Sequence, residues 1–298
     1  MKSTTTVCLA LLGAAFAVTA QAQDLTGTLK KIKDSGTVTI GNRESSVPFS
    51  YLDDKQQPVG YSMDLCHKIV DALKAELKMP GLKVAYTPIT SQNRITLTQN
   101  GTIDMDCGST TNSVDRQKQV SFGVTTYVTG VKMLVKANSG IKDLAQLDGK
   151  PVVTTTGTTS DTLIKQNEKG KNIDVKNIYG KDHADSFLMV ESGRAAAFVM
   201  DDVLLAGLIA NAKNPKDFAI VGDPFRVEPY GIMIRKDDPQ FKALVDKTLA
   251  GLMKSGEIVK IYDKWFLNPI PPKGVNMNLP MSKELKDAIA NPNDKGVS

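Results

Sequence analysis

The sequence predicts an α/β protein that consists of two α/β lobes joined by a two-strand hinge. From Thr37 onward, short runs of β-forming residues alternate with helical stretches, a pattern typical of parallel strands joined by crossover helices. This alternation occurs twice, first up to about residue 126 and again from about Val131. A chain of 298 residues is also long enough for two lobes with separate hydrophobic cores.

The first lobe is predicted at residues 23–128. The segments TVTIGNR and KVAYTPI are rich in β-forming residues, and a third strand, GTIDMDCGST, follows a short helix that ends at Asn100 and Gly101. Between the first two strands, apolar residues recur at four-residue spacing on one helical face: Leu65, Ile69, Leu73 and Leu77.

The second lobe is predicted at residues 129–224. Its strands are the runs VKMLVK, PVVTTT, DVKNIYG, AAAFVMDD and FAIVG, and its helices include SDTLIKQNEK and a segment from about Asp185 to Ser192. The chain crosses between the lobes near residues 126–130 and 223–229, and these two crossings form the hinge. The cleft between the lobes is the default place for a ligand.

Residues 225–298 are predicted to return to the first lobe. The extended segment EPYGIMIRKDD leads into one long amphipathic helix from about Pro239 to Lys254. The C-terminal segment is rich in proline and asparagine, and we expect it to pack on the first lobe as a tail.

The first 22 residues have the features of a secretory signal peptide. Lys2 precedes an apolar run from Val7 to Val18, which is too short to span a bilayer, and Ala20-Gln21-Ala22 is an A-x-A cleavage site. Cys8 lies within the apolar run and Gln23 follows the cut, so no cysteine is placed to carry a lipid anchor. We expect cleavage after Ala22 and an exported, untethered protein.

Composition excludes several classes of function. The formal net charge is +5, but basic residues are interleaved with acidic ones, as in KKIKD and RKDD, which indicates a solvated surface and no nucleic-acid partner. No G-x-S-x-G, H-E-x-x-H or G-x-x-x-x-G-K-[ST] motif occurs, so the sequence predicts no catalytic residues and no cofactor.

Few residues can bind metal or form disulfides. With His67 and His183 as the only histidines and no C-x-x-C motif, we expect no metal site. After processing, Cys66 and Cys107 remain; an exported protein can oxidise them, but the sequence leaves open whether they form a disulfide or two buried thiols.

Polar residues at the ends of predicted strands are the candidates for ligand binding, because the loops that follow such strands line the crevice of an open α/β sheet. Residues of the turn from Gly157 to Ser160 lie between a strand and a helix, where main-chain N–H groups favour an anion. The candidates are Arg43, Ser91, Arg94, Ser109, Thr111, Arg116, Thr159, His183 and Asp201.

Charge balance predicts the class of ligand if these residues converge. The site would then contain three arginines and an imidazole but a single carboxylate, Asp201. An α-amino dicarboxylate matches this excess of basic groups, because it carries two anionic groups and one cation. Burying a charge without a partner costs several kcal/mol, so a neutral or basic amino acid would leave an arginine unpaired.

Simpler interpretations stay open for the same residues. Arg43 and Arg94 could be surface arginines, and His183 could be exposed or cap a helix. Asp201 and Asp202 could cap the helix VLLAGLIANA, since aspartate is a common N-cap residue, and GTTS could be an ordinary helix start.

Eight separated motifs resemble the family-3 periplasmic amino-acid-binding proteins, and within them the branch that binds glutamate and aspartate for ABC importers. The motifs are GNRESSVPFSY, ITSQNRI, DCGSTTNSVDRQK, TTGTTSDTL, KDHADSF, ESGRAAAFVMDDVLLAG, YGIMIRKDDPQF and KWFLNPIPPKGVNMN. The resemblance implies the type II periplasmic-binding-protein fold and a monomer in the periplasm. It also implies that the protein captures L-glutamate or L-aspartate and delivers it to the membrane permease of an ABC importer.

The resemblance implies that some of the candidate residues bind the two charged groups on the ligand's α-carbon. Arg116 would bind the α-carboxylate through two hydrogen bonds, assisted by Thr111 and the main chain around Thr159. Asp201 would pair with the α-ammonium group, assisted by Ser109.

The remaining candidates would hold the carboxylate of the ligand's side chain: Arg43, Ser91, Arg94 and His183. Two other functions stay open on the same fold. A dehydratase-like enzyme would need a general acid or base, for which Asp201, Glu44 and His183 are candidates. A sensory module would present the bound ligand to a receptor.

Overall fold

The computed structural model describes residues 24–298. The predicted signal peptide, its cleavage site after Ala22 and Cys8 lie outside the described residues. Within residues 24–298, no helix combines the length and the apolar character that crossing a membrane requires.

The chain first forms a lobe around a mixed sheet. Its elements are α1 Gly27–Ser35, β1 Thr37–Asn42, β2 Ser45–Ser46, β3 Ser50–Leu52, β4 Pro58–Val59, α2 Tyr61–Glu76, β5 Lys83–Pro88, α3 Arg94–Gln99, β6 Met105–Asp106, α4 Val114–Gln117 and β7 Val120–Phe122. Leu65, Ile69 and Leu73 are buried on α2 as predicted, and Leu77, the residue after the last turn, is buried as well.

The chain then forms a second lobe. Its elements are β8 Tyr127–Lys136, a 3₁₀ turn Leu144–Leu147, β9 Pro151–Thr155, α5 Thr159–Lys171, β10 Lys176–Gly180, α6 His183–Glu191, β11 Ala197–Asp201, α7 Asp202–Asn211, a 3₁₀ turn Pro215–Asp217, β12 Phe218–Val221 and β13 Val227–Tyr230.

The last part of the chain returns to the first lobe. Its elements are β14 Met233–Arg235, α8 Pro239–Ser255, α9 Glu257–Phe266 and α10 Lys283–Ala290. The predicted long helix is α8, which begins at Pro239 as expected. The C-terminal tail packs on the first lobe, where Val297 forms a bridge with Ser113.

Each lobe is built around a mixed sheet, which contains both parallel and antiparallel strands. The first sheet has the order β5-β1-β6-β14-β7, in which β5, β1 and β6 are parallel and β14 runs antiparallel to its neighbours. The second has the order β10-β9-β11-β8-β12, in which β8 is antiparallel to both neighbours. The antiparallel strands β8 and β14 directly follow the crossings, where the chain enters a lobe without a crossover helix.

The hinge consists of β8 and β13, which pair antiparallel from Tyr127 opposite Tyr230 to Gly130 opposite Val227. The first strand of the second lobe therefore begins at Tyr127 and not at Val131, because the hinge strand continues into the sheet. Both tyrosines pack on Phe49 of the first lobe: the ring centroid of Phe49 lies 4.9 Å from that of Tyr127 and 5.2 Å from that of Tyr230. The two-lobed α/β fold with a two-strand hinge is confirmed; the predicted boundaries 23–128, 129–224 and 225–298 stay a proposal.

The two lobes are in contact across the cleft. Arg43 Nη2 of the first lobe donates to Asp182 Oδ1 of the second at 2.7 Å. Gly157 has a φ of +81°, and a Cβ atom at this position would lie 2.8 Å from the main-chain oxygen of Ser91 and 2.7 Å from Gln92 Cα. A side chain at Gly157 would therefore hold the lobes apart, so glycine permits their close approach.

Cys66 on α2 and Cys107 after β6 form a disulfide, which the sequence had left open. Their Cα atoms are 6.2 Å apart, and both side chains are buried. Cys107 directly precedes the loop that carries Ser109 and Thr111, so the disulfide attaches the start of this loop to α2.

We expect the disulfide to contribute to stability by closing a segment of the unfolded chain. For the 41-residue separation of the two cysteines, the loss of chain entropy predicts a contribution of about 3–4 kcal/mol to the free energy of unfolding. Urea unfolding of the variant with Cys66→Ala and Cys107→Ala measures this, and wild-type protein in reductant is the matched control. An unfolding midpoint that reductant leaves unchanged, together with two free thiols by mass spectrometry, would contradict the pairing.

Candidate ligand-binding site

A narrow cavity lies between the lobes. Its lining residues are Ser91, Arg94, Ser109, Thr111, Thr158, Thr159, His183, Met200 and Asp201, seven of which are predicted site residues. The other two predicted residues contact this lining: Arg43 Nη2 lies 3.4 Å from Nε2 of His183, and Arg116 Nη1 donates to the main-chain oxygen of Thr111 at 2.9 Å. The fold therefore brings all nine candidates to one place.

Arg43 follows the end of β1, and its side chain is fully buried. The alternative that it is a surface arginine is therefore wrong. Its Nη2 is paired with Asp182, whereas Nε and Nη1 are buried and have no hydrogen-bond partner within residues 24–298. Three N–H bonds of the guanidinium group are thus directed at no protein acceptor.

The turn before α3 positions Ser91 and Arg94. Arg94 is the first residue of α3 and Asn93 is its N-cap, so Ser91 lies in the preceding turn. Since α3 has only six residues, the groups available to an anion here are the two side chains rather than the helix terminus. The Ser91 hydroxyl is buried and, within the described chain, has no partner.

Arg94 is also buried, which excludes the surface alternative. Its Nη1 donates to Thr110 Oγ1 at 2.7 Å, and Thr110 in turn donates to Asp106. Its Nε has no partner, and Arg94 forms no ion pair in the part of the chain that the structure describes. Burial and the nearby Arg116 guanidinium lower the pKa of Arg94 to about 9, which still leaves it charged at neutral pH.

Arg116 lies on α4 and touches both lobes. Its Nη1 donates to the main-chain oxygen of Thr111, and its Nη2 donates at 3.2 Å to the main-chain oxygen of Gly157. Two of its five N–H groups are thereby used, and three are available to an anion. Burial lowers the pKa of Arg116, although the Glu228 carboxylate opposes this shift.

His183 is the first residue of α6 and is buried, so it is neither exposed nor the helix cap. The N-cap is Asp182, whose Oδ1 accepts the main-chain N–H of His183 at 2.7 Å; for this reason α6 begins two residues before the predicted start at Asp185. His183 Nδ1 lies 3.0 Å from Thr155 Oγ1. Burial and the Arg43 guanidinium lower the pKa of His183 to about 3, so the imidazole is neutral.

Asp201 is the last residue of β11 and is buried. Its side chain makes no cap hydrogen bond to α7, and Asp202 instead accepts the N–H of Val203 at 2.7 Å. The capping alternative is therefore wrong for Asp201. Its Oδ1 has no partner among the described residues, and burial together with the neighbouring Glu228 carboxylate raises its pKa.

The charge count predicted from the sequence is wrong in detail, because three carboxylates were missed and the imidazole is neutral. Asp182 pairs with Arg43, and Glu228 Oε1 accepts from Arg226 Nη2 at 2.7 Å. In the part of the chain that the structure describes, the buried charged groups at the cavity that stay outside any ion pair are Arg94, Arg116, Asp106 and Asp201. Both oxygen atoms of Asp106 accept protein hydrogen bonds, from Gly108 and Thr110, whereas Asp201 Oδ1 has no partner. Arginine donors and one carboxylate oxygen are therefore left for a ligand, which an α-amino dicarboxylate complements, so the predicted ligand class is unchanged.

Glu228 and Tyr230 carried a signal that the sequence interpretation did not use. Both lie in EPYGIMIRKDD at the predicted crossing, and they are two residues apart, so they face the same side of an extended strand. Both are buried beside the cavity, and burial raises the pKa of Tyr230 well above its ordinary value. Glu44, a predicted candidate for a catalytic acid, is exposed and does not line the cavity.

Buried polar atoms without partners distinguish this cavity from the other hollows of the described chain. Such atoms are rare in folded proteins. At and around the cavity they are Arg43 Nε and Nη1, Ser91 Oγ, Arg94 Nε, Ser109 Oγ, Asp201 Oδ1 and the Tyr230 hydroxyl. Two larger hollows, behind the hinge and between α1, α2 and α8, have no such atom among their lining residues.

The chain is similar to solute-binding proteins in sequence and in structure. The sequence pattern of the bacterial extracellular solute-binding proteins, family 3, matches residues 38–268. An ancestral arginine-binding protein bound to arginine has a similar structure, with a TM-score of 0.69 and 32% sequence identity; the match covers 78% of this chain and 98% of that one.

Two relatives are similar over nearly their whole length. The L-glutamate/L-aspartate-binding protein of Pseudomonas aeruginosa is 53% identical over 289 residues, which are 97% of this chain and 96% of the relative. The glutamate/aspartate import solute-binding protein of Escherichia coli K12 is 51% identical over 298 residues, which are 100% of this chain and 99% of the relative.

Proposed function

This chain belongs to the bacterial extracellular solute-binding proteins of family 3, and we propose that it captures L-glutamate or L-aspartate in the cavity between its lobes. The bound amino acid is then delivered to the membrane permease of an ABC importer. The protein is a binding protein and not an enzyme, as the names of its relatives indicate, so the dehydratase-like alternative is set aside. No observation favours the sensory alternative.

One observation carries the proposal: buried polar atoms of opposite charge converge on one cavity without protein partners. Arg94 Nε and the free atoms of Arg43 are donors, and Asp201 Oδ1 is an acceptor. A group buried in this way is stabilised when a ligand supplies the missing partner. An α-amino dicarboxylate supplies both kinds of partner: its carboxylates accept from the arginines, and its ammonium group donates to Asp201.

The ligand's α-carbon groups are assigned to Arg116 and Asp201. Three N–H groups of Arg116 are available for the α-carboxylate, and α5 begins at Thr159 in the cavity lining, where the first N–H groups of a helix have no helical partners. Asp201 binds the α-ammonium group, whose positive charge offsets the burial of this carboxylate. The Ser109 hydroxyl lies beside them in the lining.

The carboxylate of the ligand's side chain is assigned to Arg94, Ser91 and the free Nε and Nη1 of Arg43. His183 acts through Arg43, because its neutral ring faces Arg43 Nη2 at 3.4 Å and is held by Thr155. The selectivity for an acidic side chain therefore depends on two arginines rather than on a charged imidazole.

The cellular location and the oligomeric state are part of the same proposal. We propose that residues 1–22 are removed as a signal peptide and that the monomer acts in the periplasm. A periplasmic monomer with two lobes in contact presents both lobes to the permease at once, which lets the permease distinguish the closed form.

Thermal unfolding tests the proposed ligand. Protein stripped of ligand by partial denaturation and dialysis is mixed in turn with glutamate, aspartate, glutamine, asparagine, arginine and succinate. A ligand at 100 times its dissociation constant adds about 2.7 kcal/mol, which raises the melting temperature by about 5 °C or more. We expect a rise with glutamate and aspartate alone. No rise with either, or an equal rise with glutamine, would reject the assignment.

A further inference from the structure

Glu228 is a fully buried carboxylate on the hinge strand β13, and both of its oxygen atoms have partners. Oε1 accepts from Arg226, at 2.7 Å from Nη2 and 3.1 Å from Nε. Oε2 accepts two hydroxyl groups, from Thr111 at 2.5 Å and from Thr159 at 2.8 Å. Nothing in the binding roles described above requires these four bonds.

The two threonines belong to different lobes. Thr111 lies in the loop that follows β6, and Thr159 is the first residue of α5. One oxygen atom can accept both hydroxyl groups only while the lobes are closed, because opening the cleft separates α5 from that loop. The bond from Thr159 is therefore the one that opening breaks, whereas Thr111 stays beside β13, where it forms a bridge with Tyr230.

The same bonds decide which groups the threonines offer to a ligand. A hydroxyl group has one hydrogen to donate, and here that hydrogen is directed at Glu228. What Thr111 and Thr159 can still donate to a carboxylate is accordingly their main-chain N–H.

Resting on the proposed function, we propose that Glu228 is a positioning residue that clasps the two lobes. It joins Thr111 and Thr159 across the cleft, stabilises the closed form around the ligand and slows ligand release. Arg226 is required for this role, because an unpaired Glu228 would repel the ligand's α-carboxylate, and Arg226, whose side chain is 22% exposed, neutralises it from the solvent side.

Thr159→Val tests the clasp, since it removes one hydroxyl and keeps the shape of the side chain. Release of L-glutamate and of L-aspartate is measured by stopped flow from the full-length mature protein. We expect release about tenfold faster, which corresponds to one hydrogen bond to a charged acceptor, and an association rate within about twofold of wild type. Because the clasp acts near the α-carboxylate, which both amino acids carry, the release rates of L-glutamate and L-aspartate should rise by the same factor.

Three further proteins separate the clasp from a general structural effect. Thr159→Ser restores the hydroxyl and should restore slow release. Thr248→Val removes a threonine hydroxyl bond on α8, away from the cleft, and should release ligand as wild type does. In a Glu228→Met background, Thr159→Val should change release by less than about twofold, since its acceptor is gone.

Each outcome is decisive. Release from Thr159→Val within twofold of wild type, a Thr159→Ser variant as fast as Thr159→Val, or additive effects with Glu228→Met would overturn the clasp while leaving the proposed ligand in place. Wild-type protein that binds neither amino acid would overturn the proposed function and the clasp with it.

Discussion

Arg94→Ala is expected to weaken the binding of L-glutamate by about 2–4 kcal/mol, or roughly 30- to 1000-fold. Arg94 is buried, forms no ion pair within residues 24–298 and has an unpartnered Nε, so the side-chain carboxylate of the ligand is the partner proposed for its charge. Without Arg94, that carboxylate would be buried with fewer cationic partners. The energy lost therefore includes the cost of leaving a buried anion poorly paired.

Calorimetric titration of L-glutamate and L-glutamine into the Arg94→Ala variant measures this loss. L-Glutamine lacks the charge that Arg94 binds, so the ratio of the two affinities should fall together with the affinity for L-glutamate. Arg194→Ala is the matched control, because Arg194 is exposed after α6 and lies outside the lining of the cavity. A change of less than about threefold for L-glutamate, with the unfolding midpoint preserved, would show that Arg94 does not face the ligand.

The sequence predicted the place of the site because strand ends are local features. Arg43 and Asp201 were predicted from the ends of two β-rich runs, and both strands end at the interface between the lobes. The amphipathic spacing of α2 likewise identified its buried face, since that pattern depends on residues three and four positions apart. Local patterns therefore predict which residues reach the cleft.

The pairing of charges within the cleft was not predictable in the same way. Arg43 and Asp182 are 139 positions apart, and Thr159 and Glu228 are 69 positions apart. Such pairs exist only because the two lobes approach each other, which no local pattern encodes. Counting charges along the sequence therefore predicted a ligand class from an incomplete set of residues. Of the missed carboxylates, Asp182 and Glu228 are each paired with an arginine, and Asp106 accepts hydrogen bonds from Gly108 and Thr110.

The neutral state of His183 is a second consequence of this approach. In the sequence, a histidine beside an aspartate suggests a positively charged ring. In the folded protein, Arg43 lies 3.4 Å from Nε2 and lowers the pKa of the ring, along with burial. In the proposed site, the cation that interacts with the ligand is therefore the arginine, and the histidine orients it.

Asp201→Asn has the second large effect, because Asp201 is the carboxylate proposed to bind the α-ammonium group. We expect the affinity for L-aspartate to fall by about 3 kcal/mol, or roughly 150-fold, since the variant leaves a buried ammonium group without a counter-charge. Succinate differs from L-aspartate by lacking this group, and removal of a buried negative charge should leave its binding unchanged or stronger. The preference for L-aspartate over succinate should accordingly collapse.

Competition titrations with L-aspartate and succinate distinguish this role from a structural one. Asp202→Asn is the matched control: the side chain of Asp202 accepts hydrogen bonds from Thr129, Gly130 and Val203 and lies outside the cavity lining, and an amide oxygen accepts the same bonds. That variant should keep the wild-type preference. If Asp201→Asn weakened both ligands equally, Asp201 would be supporting the shape of the cleft, and the α-ammonium group would have to bind elsewhere. A selective loss of L-aspartate instead identifies Asp201 as the group that makes this a receptor for amino acids rather than for dicarboxylates.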